Sequence, residues 1–307
     1  MNDVLLLKPH LVYKMWGSNH LKEQNIDLND AIDVGEAWAI SGFKDKSSVI
    51  TNGEYRNQKL YDIFRNHKEL FDNYKGDEYP LVNKYIDCNE NLAIEVHPLD
   101  KYAQDNYKEA GGREKCWYVL KAKPNADVIV GHTAKTATEL NNLIKEEKWD
   151  QLAIRRKVQA GDVVYVPAGC IHALNEGLIL YEVQFSSKPV FRLYNYNRDL
   201  FDEAYKLNVD EAVVNTIIPY KEPKYKHNSE LLAETKKFKF LKVVNKSTKT
   251  YKYDDARWVQ VTVISGNGRL NDKYELKTGV SFVVPSTMKS FKVEGNVTML
   301  VSYLIKK

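Results

Sequence analysis

Cysteine is scarce in this sequence, with three residues in a chain of 307. Cys88, Cys116 and Cys170 lie far apart, and no two of them form a CxxC pair. A disulfide scaffold uses an even set of cysteines, and a cysteine zinc site uses closely spaced thiolates. The sequence therefore predicts neither a disulfide framework nor a cysteine-ligated zinc.

Long apolar runs and a strong charge imbalance are also missing. No stretch reaches the roughly 18 apolar residues typical of a membrane-spanning helix, and segment 1–10 is too short for the apolar part of a secretory leader. The 45 basic and 41 acidic residues leave a net charge of +4, whereas nucleic-acid-binding proteins concentrate basic charge on one face. We therefore expect a soluble, cytoplasmic protein that binds neither nucleic acid nor a membrane.

What the chain has in abundance is short β-forming runs bounded by Gly, Pro, Asn and Asp. Several alternate apolar and polar residues with a period of two, as half-buried antiparallel strands do. The clearest runs are 92–96, 116–120, 127–130, 162–166 and 178–185. Apolar residues three and four apart predict helices at 60–71, 137–149 and about 210–218. The pattern predicts a mainly β, β-rich α+β fold with helical insertions.

One short sequence occurs twice. Segment 161–167 and segment 279–285 both consist of a glycine, five mostly β-forming residues and a proline. This resembles the second sequence motif of cupins, so we expect two jelly-roll (double-stranded β-helix) cupin units. Segment 221–237 is rich in lysine and proline and is predicted to be a linker. The predicted domains are 1–220, which carries the candidate site, and a smaller cupin-like β domain at 238–307.

Two histidines and a glutamate are the main candidates for chemistry. Glu95 and His97 are two residues apart on a predicted strand, so their side chains lie on the same face. His172 comes shortly after the first copy of the repeated motif and could meet His97 at the mouth of a barrel. Carboxylates and imidazoles are both zinc ligands. Two ordinary polar histidines at strand ends remain the alternative.

The sequence around these residues resembles the type I mannose-6-phosphate isomerases, in their short bacterial form. The resemblance extends over almost the full length, and its motifs occur in the same order. They are KMWG (14–17), GEAWAIS (35–41), VHP (96–98), WY (117–118), GHTA (131–134), YVP (165–167), HAL (172–174) and FRLY (191–194), followed by Arg198.

This resemblance implies a cupin fold, one zinc ion and an activity on sugar phosphates. In the family, zinc is held by the histidines that match His97 and His172, and Arg192 matches the active-site arginine. A glutamate two residues before the tryptophan of the WY motif is a third ligand, and some members have a glutamine two residues before the first histidine. In the second unit, the position that matches His172 is Ser290, so at most one metal site is expected.

The chain departs from the family at the ligand positions. Lys115 replaces the glutamate ligand and Glu95 stands where some relatives have glutamine. Three interpretations follow: a Glu95–Lys115 ion pair fills an empty metal site, Glu95 binds zinc while Lys115 turns away, or a one-residue slip brings Glu114 inward. The slip would require a β-bulge. Lys188 replaces a further acidic residue of the family.

The resemblance implies an isomerase that interconverts mannose 6-phosphate and fructose 6-phosphate through a metal-assisted enediol. Arg192 is the predicted catalytic residue, because a guanidinium donates two parallel hydrogen bonds to a phosphate or an enediolate. The predicted substrate-binding residues are Trp16, Glu36, Lys84 and Lys115, and the predicted zinc ligands are Glu95, His97, His172 and, as a second choice, Glu114. The alternative is a metal-free regulatory protein that binds sugar phosphates. Either would be a monomer or a homodimer.

Overall fold

The fold is described by a computed structural model that covers residues 3–198 and 205–306. Strands dominate these residues, which confirms the predicted mainly β class. The strands are β1 (Leu5–Lys8), β2 (His10–Ser18), β3 (Val34–Ile40), β4 (Val49–Ile50), β5 (Leu81–Cys88), β6 (Ile94–Val96), β7 (Lys115–Ala122), β8 (Asp127–His132), β9 (Ala153–Lys157), β10 (Val163–Val166), β11 (His172–Leu174), β12 (Leu178–Phe185), β13 (Phe191–Tyr194), β14 (Leu231–Glu234), β15 (Phe238–Asn245), β16 (Lys249–Tyr251), β17 (Val259–Leu270), β18 (Tyr274–Lys277), β19 (Ser281–Val284) and β20 (Phe291–Leu304). All five strand runs singled out in the sequence form strands.

The helices are few and short, as the insertions in a β fold were expected to be. They are α1 (Leu60–Asn66), α2 (Asp100–Tyr107), α3 (Ala137–Lys145), α4 (Trp149–Leu152) and α5 (Val209–Asn215), with 3₁₀ turns at His20–Gln24, Lys44–Lys46 and Lys68–Phe71. The helix predicted at 60–71 is interrupted at His67, whose backbone (φ −129°, ψ 61°) leaves the helical region. The helix predicted at 137–149 is interrupted where Glu147 takes a positive φ of 51°. None of the described helices is long and apolar enough to cross a membrane.

The chain forms two compact units, and the first is discontinuous in sequence. This first unit consists of Met1–Ile86 and Tyr225–Lys307. Its main sheet has the strand order β14-β15-β20-β17-β19-β1-β4, with β16 beside β20 and β18 beside β17. β14 therefore lies inside the segment 221–237 that was predicted to be a linker. The predicted domain boundaries at 220 and 238, which place one copy of the repeated motif in each domain, stay a prediction.

The second unit, Asp87–Lys224, is continuous in sequence. One of its sheets has the order β13-β6-β11-β8-β9. β7 pairs antiparallel with β10 on one side and with β12 on the other. These three strands are therefore neighbours in a second sheet. Every residue of β12 is buried, which explains its almost continuous apolar sequence.

The repeated motif has the same local structure in both copies. β10 and β19 are each preceded by a glycine with positive φ, at 95° for Gly161 and 90° for Gly279. Glycine adopts this conformation without the steric cost that a Cβ would add. Pro167 and Pro285 follow the two strands and end them, because proline lacks the N–H that a ladder needs.

Each unit has its own apolar core. In the first, Val4 packs with side chains from β17, β19 and β20, including Phe282 and Met299, both fully buried. In the second, β6, β8, β11 and β13 pack against α3 and α5, with Ile94 and Ile171 at the centre. Burial of one such side chain contributes about 1.5–3 kcal/mol. These cores fix the strands that carry the site described next.

Candidate metal centre

The candidate residues lie in one row across three neighbouring strands. In the register of the sheet, Arg192 on β13 faces Glu95 on β6, and Glu95 faces His172 on β11. Directly opposed residues of antiparallel strands present their side chains on the same face. His97 follows the end of β6, two residues beyond Glu95. The short distance between residues far apart in sequence is therefore a consequence of strand pairing.

Glu95, His97 and His172 bring their ligand atoms to within 4.8 Å of one another. Oε1 of Glu95 lies 3.3 Å from Nε2 of His97 and 3.4 Å from Nε2 of His172. Both histidines are almost fully buried, with 1% and 2% of their surface exposed. The two imidazoles therefore lie in the protein interior, where the energetic cost of an unsatisfied polar atom is high, while the side chain of Glu95 is 22% exposed.

The hydrogen bond of His172 determines which of its nitrogens can bind a metal. Nδ1 lies 2.9 Å from the carbonyl oxygen of Cys170, and a carbonyl oxygen only accepts, so Nδ1 carries the proton and donates it. Nε2 of the neutral ring then keeps its lone pair and points it toward Glu95. A backbone carbonyl that orients a ligating histidine in this way is the usual second contact of such residues in metal sites.

The geometry fits a metal ion. Nε2 of each histidine is buried and makes no aligned hydrogen bond within the described residues, and both atoms lie within 3.4 Å of the same carboxylate oxygen. Ligands about 2.0–2.1 Å from a tetrahedral ion are separated by about 3.3 Å, close to the two distances at Glu95. The donor set of two imidazoles and one carboxylate suits a divalent metal.

Electrostatics keep the three residues in the protonation states that a metal requires. Burial opposes ionisation of Glu95, but the positive charge of Lys115 nearby lowers the pKa of this carboxyl. Burial lowers the pKa of both His97 and His172, and the charge of Lys115 adds to that effect. At neutral pH the site contains a carboxylate and two neutral imidazoles, which are the forms that bind metals.

Lys115 lies next to this group but pairs more closely with another carboxylate. Its Nζ is 3.8 Å from Oε1 of Glu95 and 3.3 Å from Oε2 of Glu182. Oε2 of Glu182 also accepts a 2.6 Å hydrogen bond from Nε1 of Trp117. The close Glu95–Lys115 contact expected of an ion pair in place of a metal is not formed.

Glu114 is not brought to the group. Its Oε2 accepts a 3.0 Å hydrogen bond from the hydroxyl of Tyr165. β7 pairs with β10 in unbroken register from Lys115 to Tyr118, so no bulge exchanges the faces of residues 114 and 115. The slip that would have made Glu114 a ligand does not occur.

In the first unit, Glu36 and Lys84 form a buried ion pair. Nζ of Lys84 donates to Oε1 of Glu36 at 2.7 Å, and Nε1 of Trp38 donates to Oε2 at 2.9 Å. Burial opposes ionisation of Glu36, but the charges of Lys84 and Lys14 outweigh it and lower the pKa of Glu36 to about 2. Trp16 lies on β2 and is 5% exposed.

Replacing Glu36 by glutamine is expected to remove part of the acid sensitivity of folding. Because the folded-state pKa of about 2 lies below the ordinary value of 4.5, the carboxylate stabilises the fold above that ordinary value, and the contribution is lost as the pH falls toward 2. The full contribution is about 3 kcal/mol, and about 2 kcal/mol of it is lost at about pH 3. Urea unfolding of both proteins at about pH 6 and about pH 3 measures this. A difference in unfolding free energy that does not change with pH would contradict the pairing.

Sequence reasoning missed Glu182. This residue lies in the middle of β12, is 1% exposed and contacts Lys115 and Trp117. The available signal was a lone acidic residue inside an otherwise apolar strand, since glutamate is almost never fully buried unless it is paired.

Comparison with known proteins identifies the relatives of this chain. Residues 4–118 match the family described as phosphomannose isomerase type I, catalytic domain, and residues 229–304 match that described as mannose-6-phosphate isomerase, cupin domain.

The mannose-6-phosphate isomerase of Streptococcus mutans is 32% identical, covering 99% of both chains. Mannose-6-phosphate isomerase ManA of Bacillus subtilis is 29% identical, covering 98% of this chain and 99% of the relative. The crystal structure of a mannose 6-phosphate isomerase from Bacillus subtilis superposes with a TM-score of 0.89 at 30% identity, covering 98% of this chain and 100% of the other. These matches confirm the predicted cupin-type fold.

Proposed function

The chain belongs to the type I phosphomannose isomerase family, and from that premise we propose that it interconverts mannose 6-phosphate and fructose 6-phosphate. The reaction moves a proton between adjacent carbons of the open-chain sugar and passes through an enediol. It requires a group that steadies negative charge on the sugar oxygens, a group that holds the phosphate, and a base that takes the proton from one carbon and returns it to the next. The residues at the candidate metal centre supply the first of these requirements.

The proposed metal is zinc, held by Glu95, His97 and His172. The observation that carries this proposal is the convergence of two buried Nε2 atoms on one carboxylate oxygen. When bound, a divalent zinc ion polarises the sugar oxygens as a Lewis acid. The protein prepares the site for it, because the Cys170 carbonyl orients the His172 ring and strand pairing fixes Glu95 beside it.

Arg192 is the proposed catalytic residue. It lies in the same strand row as Glu95, on the same face of the sheet. Its guanidinium donates up to two parallel hydrogen bonds to adjacent oxygens, which suits an enediolate or a phosphate and which a lysine does not reproduce. The contribution of Arg192 is therefore geometric as well as electrostatic.

The remaining assignments are proposals of the same kind. Contacts of Trp16, Glu36, Lys84 and Lys115 with the sugar phosphate stay predictions, as does the division into domains at 220 and 238. We also propose that the protein acts in the cytoplasm as a monomer or a homodimer, on a free small-molecule substrate.

A coupled isomerase assay combined with metal analysis tests the proposed function. Purified protein is expected to contain about one zinc ion per chain, to lose turnover after dialysis against a chelator and to regain it when zinc is added back. Protein with no bound metal and no turnover at any zinc concentration would refute the proposal and support the metal-free, regulatory alternative.

A further inference from the structure

A buried cation, Lys115, lies beside the candidate metal ligands. Lys115 is 4% exposed, and its Nζ lies 3.8 Å from Oε1 of Glu95. This is the same oxygen that both imidazoles face. An ammonium has no lone pair to offer a metal, and its charge repels a dication at close range. Left alone, Lys115 would compete with a metal ion for the Glu95 carboxylate.

Glu182 is placed to prevent this competition. Its Oε2 is 3.3 Å from Nζ of Lys115, closer than Glu95 is. The same oxygen accepts the 2.6 Å hydrogen bond from Nε1 of Trp117, so the carboxylate is held in position from a second side. At 1% exposure, Glu182 has no bulk water to weaken its attraction for the lysine.

Strand pairing makes this arrangement rigid. Lys115 and Trp117 are two residues apart on β7, so they share a face, and Glu182 on β12 is directly opposite Trp117. The position of the Glu182 carboxylate is therefore set by two strands whose register is fixed by backbone hydrogen bonds. A flexible surface glutamate could not hold a long lysine side chain to one side in this way.

We propose that Glu182 is a positioning residue that neutralises Lys115 and holds it away from the metal ligands. The inference rests on the proposed metal site. In this account Glu95 stays available to the metal because the charge of Lys115 is already satisfied by a second carboxylate. Glu182 acts on metal affinity through Lys115 and is not itself a ligand.

A double-mutant cycle with zinc affinity as the readout tests the proposal. Wild type, Lys115→Gln, Glu182→Gln and the double variant are titrated with zinc against a chromophoric chelator. Lys115→Gln is expected to bind zinc with an affinity within about 10-fold of wild type, because Glu182 already offsets the charge of the lysine. Glu182→Gln is expected to bind about 100-fold more weakly when Lys115 is present, but less than about 10-fold more weakly when it is added to Lys115→Gln.

The cobalt spectrum and a matched control exclude other roles of Glu182. Visible bands of the Co²⁺-loaded proteins are expected to have the same positions in all four proteins, whereas loss of a direct ligand would shift them. Lys239→Gln removes the lysine of another ion pair, 2.7 Å from Asp255, and is expected to leave zinc affinity unchanged.

The outcomes separate failure of this inference from failure of the metal site. An equal loss of affinity on Glu182→Gln in both backgrounds, or a gain of about 100-fold or more on Lys115→Gln, would overturn the positioning role while the metal site stands. If Glu182→Gln does not fold, Lys115→Gln alone still decides: an affinity within about 10-fold of wild type supports neutralisation of the lysine, and a gain of about 100-fold or more overturns it. No zinc binding by any variant would refute the proposed metal site, and this inference with it.

Discussion

Replacing His172 by alanine is expected to lower zinc affinity by about 1,000-fold or more and to abolish measurable isomerase activity. Three protein ligands are proposed, and His172 contributes the nitrogen whose orientation is most firmly fixed, by the 2.9 Å hydrogen bond to the Cys170 carbonyl. Alanine removes the ligand and leaves Glu95 to pair with Lys115. Zinc content by elemental analysis and the coupled assay measure the two effects.

His132 provides a matched control for that variant. It is also a buried histidine, 2% exposed, on β8 of the same sheet, but its Nε2 lies 3.0 Å from the Ile217 carbonyl, not in the metal group. His132→Ala is expected to retain zinc and to lose stability instead. If His172→Ala keeps full zinc occupancy, or if His132→Ala loses zinc to the same degree, the assignment of ligands is wrong.

Replacing Arg192 by glutamine is expected to lower kcat by about 1,000-fold with little change in zinc content. The guanidinium is the charged donor on the row that contains Glu95 and His172, and it is needed when negative charge develops on the sugar oxygens. Arg192→Lys is expected to recover no more than about 10-fold of the loss, because a single ammonium cannot donate two parallel hydrogen bonds. Initial-rate kinetics separate kcat from KM.

Arg155 is the control for the loss of an arginine from this sheet. It lies on β9 and pairs at the surface with Asp127 and Asp150, at 3.3 and 3.6 Å. Arg155→Gln is expected to leave kcat within about 3-fold of wild type, since exposed ion pairs contribute little. A rise in KM with unchanged kcat for Arg192→Gln would assign Arg192 to binding the phosphate and not to the reacting oxygens.

Much of the candidate site could be predicted from the sequence because its residues follow local rules. The spacing of Glu95 and His97 places both side chains on one face of a strand, and the repeated motif fixes where β10 ends and how far His172 lies beyond it. Arg192 could be identified from its motif, but its position opposite Glu95 depends on β13 pairing with β6. No local pattern specifies which strands become neighbours.

The environment of Lys115 could not be predicted for the same reason. Its partner Glu182 is distant along the chain and comes near only because β12 pairs with β7. The family resemblance identified Lys115 as a lysine at the position of a metal ligand. The ion-pair partner expected for it from the sequence was Glu95. The choice between Glu95 and Glu182 depends on differences of less than about 1 Å, which tertiary packing sets.

The discontinuity of the first unit has a consequence for how the protein is made. Leu7 of β1 pairs with Ile50 of β4 on one side, but the other side of β1 pairs with β19, where Leu5 faces Val283. At roughly 5–20 residues per second, synthesis of β19 follows that of β1 by tens of seconds. During that interval Asp87–Lys224 emerges as one continuous segment that contains every strand of the β13-β6-β11-β8-β9 sheet. The nascent chain therefore carries an apolar strand with one unpaired edge until β19 has been synthesised, and this edge is where a chaperone would protect it from aggregation.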